Sequence, residues 1–208
     1  MKTIVFAMVA ATAFCVCAAE SIQLPEPDKT GGMPLMQALA ERKSSREFSD
    51  KEVPLNVLSS LLWAADGINR DDGRRTSPTG LNVQDLDIYV MLPDGTYLWD
   101  FKANQLLLKK AGDQRKAAGR QPFTHTAPVN LFYVQNLDKS MKTDETNTAR
   151  HGGIHAGAVM QNVYLFCAKE KLSCVVRDSL DREELAKVLG LSDRQRIMIG
   201  QTVGYPKN

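Results

Sequence analysis

Apolar residues recur every three to four positions in several stretches of the chain, and this spacing predicts amphipathic helices. The clearest stretch places Leu55, Leu58 and Leu62 on one helical face, after Pro54 and before Gly67. The predicted helices cover residues 34–43, 54–66, about 113–119, about 151–171 and 182–189. The fourth helix is apolar almost all round in its middle, which is typical of a helix buried inside a domain or against another subunit.

Between these helices, short runs of β-branched, aromatic and other apolar residues predict strands. The predicted strands cover residues 88–92, 97–99, 106–108, 129–134, 172–176 and 197–203. Pro93-Asp94-Gly95 predicts a turn that joins the first two strands as an antiparallel hairpin. The run 129–134 is almost continuously apolar, which indicates a strand covered on both faces. This pattern predicts an α+β fold with a central mixed or antiparallel sheet flanked by helices.

The first 19 residues have the pattern of a secretory signal peptide. Lys2 supplies a positive start, residues 4–16 form a short apolar run, and Ala18-Ala19 offers small residues for cleavage. The expected division is a signal peptide (1–19), an extended leader (20–32) and one domain (33–208). The protein is therefore expected to be exported, either periplasmic or secreted. A lipoprotein signal at Cys15 or Cys17 ranks second, and a cytoplasmic protein with an apolar N-terminal helix ranks third.

Charge and cysteine content argue against two classes of protein. The 208-residue chain has a formal net charge of +2, which falls to +1 when the predicted signal and its Lys2 are removed. A near-neutral domain lacks the basic face that general nucleic-acid binding requires, so no nucleic-acid partner is expected. The apolar run of residues 4–16 is too short to span a bilayer comfortably, so no stable membrane span is expected either. Cys167 and Cys174 lie in apolar runs, so they are interpreted as small core residues and not as a disulfide or metal ligands.

A cluster of basic and hydroxyl residues, Arg42 to Arg46, follows the first predicted helix. Guanidinium groups present a planar fork of donors that matches phosphate oxygens, and serine adds a short neutral donor. The cluster is a candidate phosphate clamp, although basic runs are more often solvated surface.

Further along the chain, residues 137–150 are polar and without periodicity, which predicts a mobile loop or a lid.

The order of these features resembles the nitroreductase-like FMN-dependent flavoprotein family over about residues 34–206. It looks closest to the branch that includes the thiazole/oxazole-forming peptide oxidases. The run 42–46 is similar to the family's Arg-x-Ser-x-Arg/Lys element, and residues 77–84 are similar to its Ser-Pro-Ser loop. Residues 93–100 resemble a hairpin of that branch, and residues 200–206 resemble the family's terminal Val-Gly-Tyr-Pro. The resemblance implies a nitroreductase-like fold, bound FMN and a homodimer with flavin at the subunit interface.

The same resemblance implies which residues contact FMN. The phosphate and ribityl end is assigned to Arg42, Ser44 and Arg46, with Lys43 adding backbone or ring contacts. The ring is assigned to Pro78, Thr79, Gly80 and Asn82, on a loop that reaches in from the partner subunit, and to Gln121 and Phe123. Flavin N5 is expected to accept a hydrogen bond from the backbone of Asp178 or Ser179. Many family members carry a C-terminal Arg or Lys that completes the phosphate site, and Lys207 is the expected substitute here.

The activity that the resemblance implies is that of an FMN-dependent oxidoreductase. Hydride or electrons would pass through flavin N5 to or from a small organic substrate such as a nitro compound or a quinone. The cofactor carries this chemistry, so no side-chain nucleophile is expected, and no Ser-His-Asp or Cys-His constellation is legible in the sequence. Two alternatives stay open: an exported flavin-binding or scavenging protein without turnover, and an exported domain that has lost flavin. The electron donor, NAD(P)H or a quinol, also stays open.

Two further patterns lie at the start of the long predicted helix. His151 and His155 are spaced i, i+4, which can place two metal ligands on one face, but no third ligand is apparent and no metal is predicted. Helix capping or interface hydrogen bonding is the preferred interpretation of these histidines. Gly153, Ala156 and Gly157 permit the close approach of another helix, so they are consistent either with tight packing inside one subunit or with a dimer contact.

Overall fold

The computed structural model describes residues 21–207, so the predicted signal peptide and Asn208 lie outside the described residues. Within this range the helices are α1 (Leu35–Glu41), α2 (Leu55–Asp66), α3 (Glu145–Glu170) and α4 (Arg182–Leu189). The strands are β1 (Ser21–Gln23), β2 (Leu86–Leu92), β3 (Gly95–Asp100), β4 (Gln105–Ala111), β5 (Val129–Asn136), β6 (Ser173–Arg177) and β7 (Gln195–Gly204). Short 3-10 turns occupy Gly80–Asn82, Arg115–Ala118 and Pro122–His125.

The strands form one sheet in the order β1-β4-β3-β2-β5-β7-β6. Each neighbouring pair of strands within residues 21–207 is antiparallel. The predicted α+β class, with one central sheet flanked by helices, is confirmed, and the sheet is antiparallel throughout these pairings. The central strands β2, β5 and β7 therefore have a hydrogen-bonded neighbour on each side.

Both faces of the sheet are covered, because successive side chains of a strand point to opposite faces. On β2, Ile88 and Val90 pack into the core beneath α2 and α3, whereas Tyr89 and Met91 pack into a second core beneath α4. Strand β5 divides its side chains between the same two cores. This explains why its sequence is almost continuously apolar, as expected for a strand with no solvated face.

Helix α3 begins earlier than its apolar pattern predicted. It starts at Glu145 and not near residue 151, because the carboxylate of Asp144 accepts a hydrogen bond from the backbone N–H of Asn147 at 2.9 Å and caps the first turn. The first two turns are largely polar and therefore gave no periodic signal. The predicted loop of residues 137–150 is helical from 145 onward, and this part of the prediction was wrong. The helix predicted over residues 113–119 is the short 3-10 turn at 115–118.

Residues 21–23, predicted to belong to an extended leader, are extended and form the edge strand β1. Ile22 lies opposite Leu106 of β4 in an antiparallel register. The sheet therefore begins before the domain boundary predicted at residue 33. None of the helices within residues 21–207 is both long and apolar enough to cross a bilayer.

The surface of α3 is only partly covered by the rest of the chain. Gly152 packs so closely on Gln135 that an added Cβ would lie 2.4 Å from its side chain, and Ala156 is buried. At Gly153 and Gly157, in contrast, an added Cβ would meet nothing within 4 Å, and Ile154 is 59% exposed. Tight packing inside the subunit thus accounts for Gly152 and Ala156 but not for Gly153 or Gly157.

Candidate functional site

The basic segment, residues 42–48, runs along the edge of the sheet between α1 and α2. The backbone N–H of Ser45 donates to the carbonyl of Cys174 on the edge strand β6 at 2.9 Å. Phe48 forms an isolated antiparallel bridge with Pro206, so Lys207, the residue after Pro206, follows close to the segment. The sheet edge therefore fixes the path of this segment, and its side chains extend from an ordered backbone.

The cations of the basic segment have no carboxylate partner. Arg42, Lys43 and Arg46 form no ion pair within 4 Å among residues 21–207, and the guanidinium of Arg42 lies 5.2 Å from the centre of the Tyr164 ring. The hydroxyl of Ser44 lies 2.8 Å from that of Tyr164. The structure thus brings Arg42, Lys43, Ser44 and Arg46 together on one exposed segment, where unpaired cations and hydroxyls can bind an anion.

A cavity of about 450 Å³ lies beside this segment. Its polar lining includes Glu41, Lys43, Ser45, Tyr164, Lys171 and Ser173. Pro206 also lines it, so the C-terminal end of the chain closes one side. The cavity therefore combines two ammonium groups with hydroxyl donors and a single carboxylate.

The predicted N5-donor turn follows β6 directly. The backbone N–H groups of Asp178 and Ser179 donate to no acceptor within the described part of the chain, whereas the Ser179 carbonyl accepts from the N–H of Arg120 at 3.2 Å. Gln121 comes next, and its side-chain oxygen is buried without a hydrogen-bond partner. Free backbone donors and an unpaired amide oxygen are therefore held together at this turn, as a ligand with mixed donors and acceptors requires.

Aromatic packing joins this turn to the basic segment. The ring of Phe123 lies 5.6 Å from that of Phe48, centre to centre. The structure thus connects three of the predicted groups within one chain. They are the segment 42–48, the region of Gln121 and Phe123, and the turn 178–179. They share the end of the sheet formed by β6 and β7.

The fourth predicted group does not join them. Pro78, Thr79 and Asn82 line a separate cavity of about 480 Å³ together with Arg70, Arg74 and Arg75, and Gly80 lies near Met141. The two cavities have no lining residue in common. Within a single chain, the predicted ring-contacting loop therefore stands apart from the predicted phosphate residues.

That loop has an unusual backbone. Leu81, Asn82 and Gln84 all have positive φ, between 50° and 55°, in the left-handed region that non-glycine residues rarely adopt. Leu81 is 89% exposed at the loop tip, so its side chain gains no packing within the subunit. Such strain persists where the surrounding structure over-determines it.

Arg177, the last residue of β6, is a buried cation that the sequence analysis missed. Its guanidinium donates to Thr202 Oγ1 at 2.7 Å, to Asn130 Oδ1 at 2.8 Å and to the carbonyl of Ala118. Burial lowers its pKa to about 10. It ties the strand before the N5-donor turn to the segment before Gln121. One sequence signal could have indicated that Arg177 is buried. It comes two residues after Val175, so both side chains point to the same face of the strand, and Val175 is buried.

A second missed group is a buried polar network at the start of the ring-contacting loop. Ser77 Oγ lies 3.2 Å from His155 Nε2, and His155 Nδ1 lies 3.1 Å from Asp85 Oδ1. Ser77, His155 and Asp85 therefore form a Ser-His-Asp arrangement, which the sequence alone did not predict. Ser77 is buried and donates its proton to Asp66, so it is not placed as a nucleophile.

The histidines and cysteines do not form a metal site among residues 21–207, where no group of three potential ligands occurs. His155 lies in the middle turns of α3 and bonds within the subunit, so helix capping and interface bonding were wrong for this residue. Cys167 and Cys174 are both free and buried, which confirms their interpretation as core residues.

Comparison with known proteins gives consistent matches over most of the chain. A model of the nitroreductase family matches residues 39–205. A Methanocaldococcus jannaschii protein described as a candidate nitroreductase is 27% identical over 182 residues, which cover 83% of this chain and 90% of that protein. The crystal structure of a candidate nitroreductase from Ralstonia eutropha JMP134 is 40% identical, with a TM-score of 0.86 and coverage of 91% of this chain and 90% of that one.

A more distant match is the crystal structure of a candidate nitroreductase in complex with FMN from Desulfovibrio desulfuricans. It has a TM-score of 0.61 at 21% identity and covers 86% of this chain and 89% of that one, so the likeness concerns the fold alone. The family model spans most of the residues that build the sheet and both cores. From that match and the 40% identical relative, the chain belongs to the nitroreductase family.

Proposed function

We propose that the protein is an FMN-dependent oxidoreductase acting on a small organic substrate such as a nitro compound or a quinone. Membership of the nitroreductase family supports an oxidoreductase, and the FMN complex of the Desulfovibrio desulfuricans relative supports the choice of cofactor. The observation that carries the proposal is the ordered basic segment with its unpaired cations. When bound, FMN would supply hydride or electron transfer at N5.

The residues fit the two ends of such a cofactor. Arg42, Ser44 and Arg46 would hold the phosphate and ribityl end, with Lys43 beside them and Lys207 adjacent across the Phe48–Pro206 bridge. Arg46 is exposed and Arg42 is half-buried, and the guanidinium forks of both can form bidentate hydrogen bonds with phosphate oxygens. No rearrangement of an existing ion pair is needed first.

At the other end, the free N–H groups of Asp178 and Ser179 would donate to the ring, including N5. The unpaired side-chain oxygen of Gln121 would accept from a ring N–H. Arg177, the residue before this turn, would add a buried positive charge that favours electron density on a ligand bound there. The chain's own contribution is thus to bind, orient and polarise, and no side-chain nucleophile is required.

A homodimer would complete the site, because the loop 78–82 stands apart from the phosphate residues of its own chain. The exposed apolar side chains that support a second copy are Leu35, Met36, Leu39, Leu81 and Ile154. The open surfaces at Gly153 and Gly157 lie one residue before and three residues after Ile154 on α3. We propose that the face of α3 around Ile154 pairs with a second copy and brings each loop to the other subunit's FMN.

The test is an absorption spectrum of purified protein carrying both Arg42→Ala and Arg46→Ala. We expect this variant to be folded by circular dichroism and colourless, whereas the wild type is yellow. The variant with Lys109→Ala and Lys110→Ala removes two exposed positive charges from β4 and should keep its colour. An arginine variant that retains stoichiometric flavin contradicts the assignment.

Turnover separates an enzyme from a flavin-binding protein. In stopped-flow mixing, NADH, NADPH or a quinol should bleach the absorbance of the bound flavin, and a nitro compound or quinone should restore it.

Export stays a proposal of its own, tested by mass spectrometry of the N-terminus in cell fractions. An intact N-terminus on cytoplasmic protein contradicts it.

A further inference from the structure

We propose that His155, held as an imidazolium, is the positioning residue of the ring-contacting loop, residues 78–84. The inference rests on the proposed function, because that function assigns the loop to the flavin ring. His155 touches neither the substrate nor the cofactor in this proposal. It acts through Ser77 and Asp85, which flank the loop on either side.

One imidazole ring contacts both ends of the loop. Nε2 lies 3.2 Å from Oγ of Ser77, the residue before the loop, and Nδ1 lies 3.1 Å from Oδ1 of Asp85, the residue after it. All three side chains are almost completely buried. His155 therefore fixes the separation of the loop ends from a position on the long helix α3, and the left-handed backbone of Leu81 and Asn82 spans the gap between them.

The hydrogen bonds define the protonation state of the ring. The single proton of the Ser77 hydroxyl is donated to the carboxylate of Asp66, so Ser77 Oγ can only accept from His155 Nε2. The carboxylate of Asp85 accepts from Gln135 Nε2 at 2.9 Å and from Ser140 Oγ at 2.7 Å, and it also can only accept from the ring. Both ring nitrogens must therefore carry a proton.

Charge balance leads to the same state. Asp66 and Asp85 bring two buried negative charges, and Arg75 Nη1 lies 2.6 Å from Asp66 Oδ2 and cancels one of them. A protonated His155 cancels the other, so the four charged groups sum to zero. A neutral imidazole would leave an uncompensated carboxylate in the interior, which is costly.

Outside this network, the only buried charged side chain among residues 21–207 is Arg177, and it bonds to Thr202, Asn130 and the Ala118 carbonyl. The ring itself contacts Ser77 and Asp85. Asp66 and Arg75 lie behind Ser77, and Gln135 and Ser140 lie behind Asp85. Burial lowers the pKa of His155, but the carboxylate of Asp66, 3.8 Å from Nε2, and the hydrogen bond to Asp85 outweigh burial and raise the pKa overall. The raised pKa favours the same imidazolium that the hydrogen bonds require.

The proposal has a defined pH dependence. Because the pKa of His155 is raised in the folded protein, the loop is held below that pKa and released as the pH rises through it. Deprotonation converts one ring nitrogen into an acceptor that faces either the Asp85 carboxylate or the Ser77 oxygen. One end of the loop then loses its attachment.

The experiment compares FMN-loaded wild type with His155→Gln and with His151→Gln, a change one helical turn earlier on α3. Thermolysin cleavage before the exposed Leu81 reports on the loop without requiring turnover. We expect cleavage of the wild type to accelerate with pH, and cleavage of His155→Gln to be about tenfold faster at neutral pH and insensitive to pH. His151→Gln should behave as the wild type.

Two further measurements distinguish positioning from a merely structural role. In steady-state turnover, His155→Gln should lose the alkaline limb of the wild-type kcat/KM profile. In the wild type, ¹⁵N spectra of the histidine side chains should show both nitrogens of His155 protonated at pH 7, a result that does not depend on whether the variant folds. A neutral ring, or identical pH profiles of cleavage and turnover in wild type and His155→Gln, overturns the proposal. A colourless wild type contradicts the proposed function instead and leaves the cleavage and ¹⁵N results interpretable.

Discussion

The hydroxyl of Tyr164 on α3 lies 2.8 Å from Oγ of Ser44 in the basic segment. The same hydroxyl accepts a hydrogen bond from the backbone N–H of Val176 on β6 at 2.9 Å, and its ring lies beneath the guanidinium of Arg42. One buried phenol therefore connects the long helix, the edge strand and the proposed phosphate residues. The position of the basic segment depends on α3 as much as on its own sequence.

Replacing Tyr164 with phenylalanine tests this support. The change leaves the N–H of Val176 without its partner and should lower the free energy of unfolding by about 1–2 kcal/mol. FMN affinity should fall about fivefold, because Ser44 loses its fixed position. Urea unfolding and a fluorescence titration with FMN measure the two effects. Tyr205→Phe is the matched control, since the Tyr205 hydroxyl makes no hydrogen bond within residues 21–207, and equal effects of the two changes would contradict the prediction.

Arg177→Lys should be strongly destabilising although it preserves the charge. A lysine ammonium cannot reproduce the planar fork that serves Thr202, Asn130 and the Ala118 carbonyl at once. Buried acceptors left unpaired should lower the free energy of unfolding by about 2–4 kcal/mol. At the exposed Arg194 the same substitution should change it by less than about 0.5 kcal/mol. Denaturant unfolding of both variants provides the comparison.

Gly153→Ala and Gly157→Ala distinguish an isolated subunit from a dimer. Within one chain an added methyl group meets open space at both positions, and alanine favours helix by about 1 kcal/mol over glycine. If a second copy packs on this face, the same methyl groups should weaken the dimer. We expect analytical ultracentrifugation to show a raised dimer dissociation constant. A more stable protein with unchanged association would contradict the proposed interface.

Acid should destabilise the protein through Asp85. Burial alone would raise the pKa of this carboxyl, but hydrogen bonds from His155, Gln135 and Ser140 lower it to about 2. A depressed carboxyl pKa stabilises the fold above its unfolded value, near 4, and this stabilisation is lost as the pH falls toward 2. The loss should be about 2 kcal/mol. Urea unfolding at pH 5 and pH 2.5 should show this decrease in the wild type and not in Asp85→Asn.

Much of the fold could be predicted from local pattern. The helix 182–189 has the bounds predicted, because Asp181 caps its start and Gly190 ends it with a left-handed backbone. The strands were found within a few residues, since β-rich runs and the Pro93-Asp94-Gly95 turn are local signals. Edge strand β1 was missed because three residues of extended chain have no periodicity, and only their pairing with β4 makes them a strand.

The candidate site likewise has a part that local sequence predicted and a part that it did not. The basic segment is contiguous in sequence, so its residue types and spacing were visible directly. His155 and its partners are not contiguous in sequence, because Asp85 lies 70 residues and Ser77 lies 78 residues before His155. No local pattern relates an i, i+4 histidine pair to a loop that four strands separate from it in the sequence. Arg177 was overlooked for a similar reason, since its hydrogen-bond partners lie on other strands and turns.

The attachment of the basic segment to β6 has a consequence for solubility. An unpaired strand edge is a template on which other chains can add strands and aggregate. Here the outward carbonyl of Cys174 is occupied by Ser45 and the outward N–H of Val176 by Tyr164, so neither is free for intermolecular pairing. Substitutions that detach the segment should therefore expose the unpaired edge of β6 and promote precipitation, in addition to any loss of bound FMN.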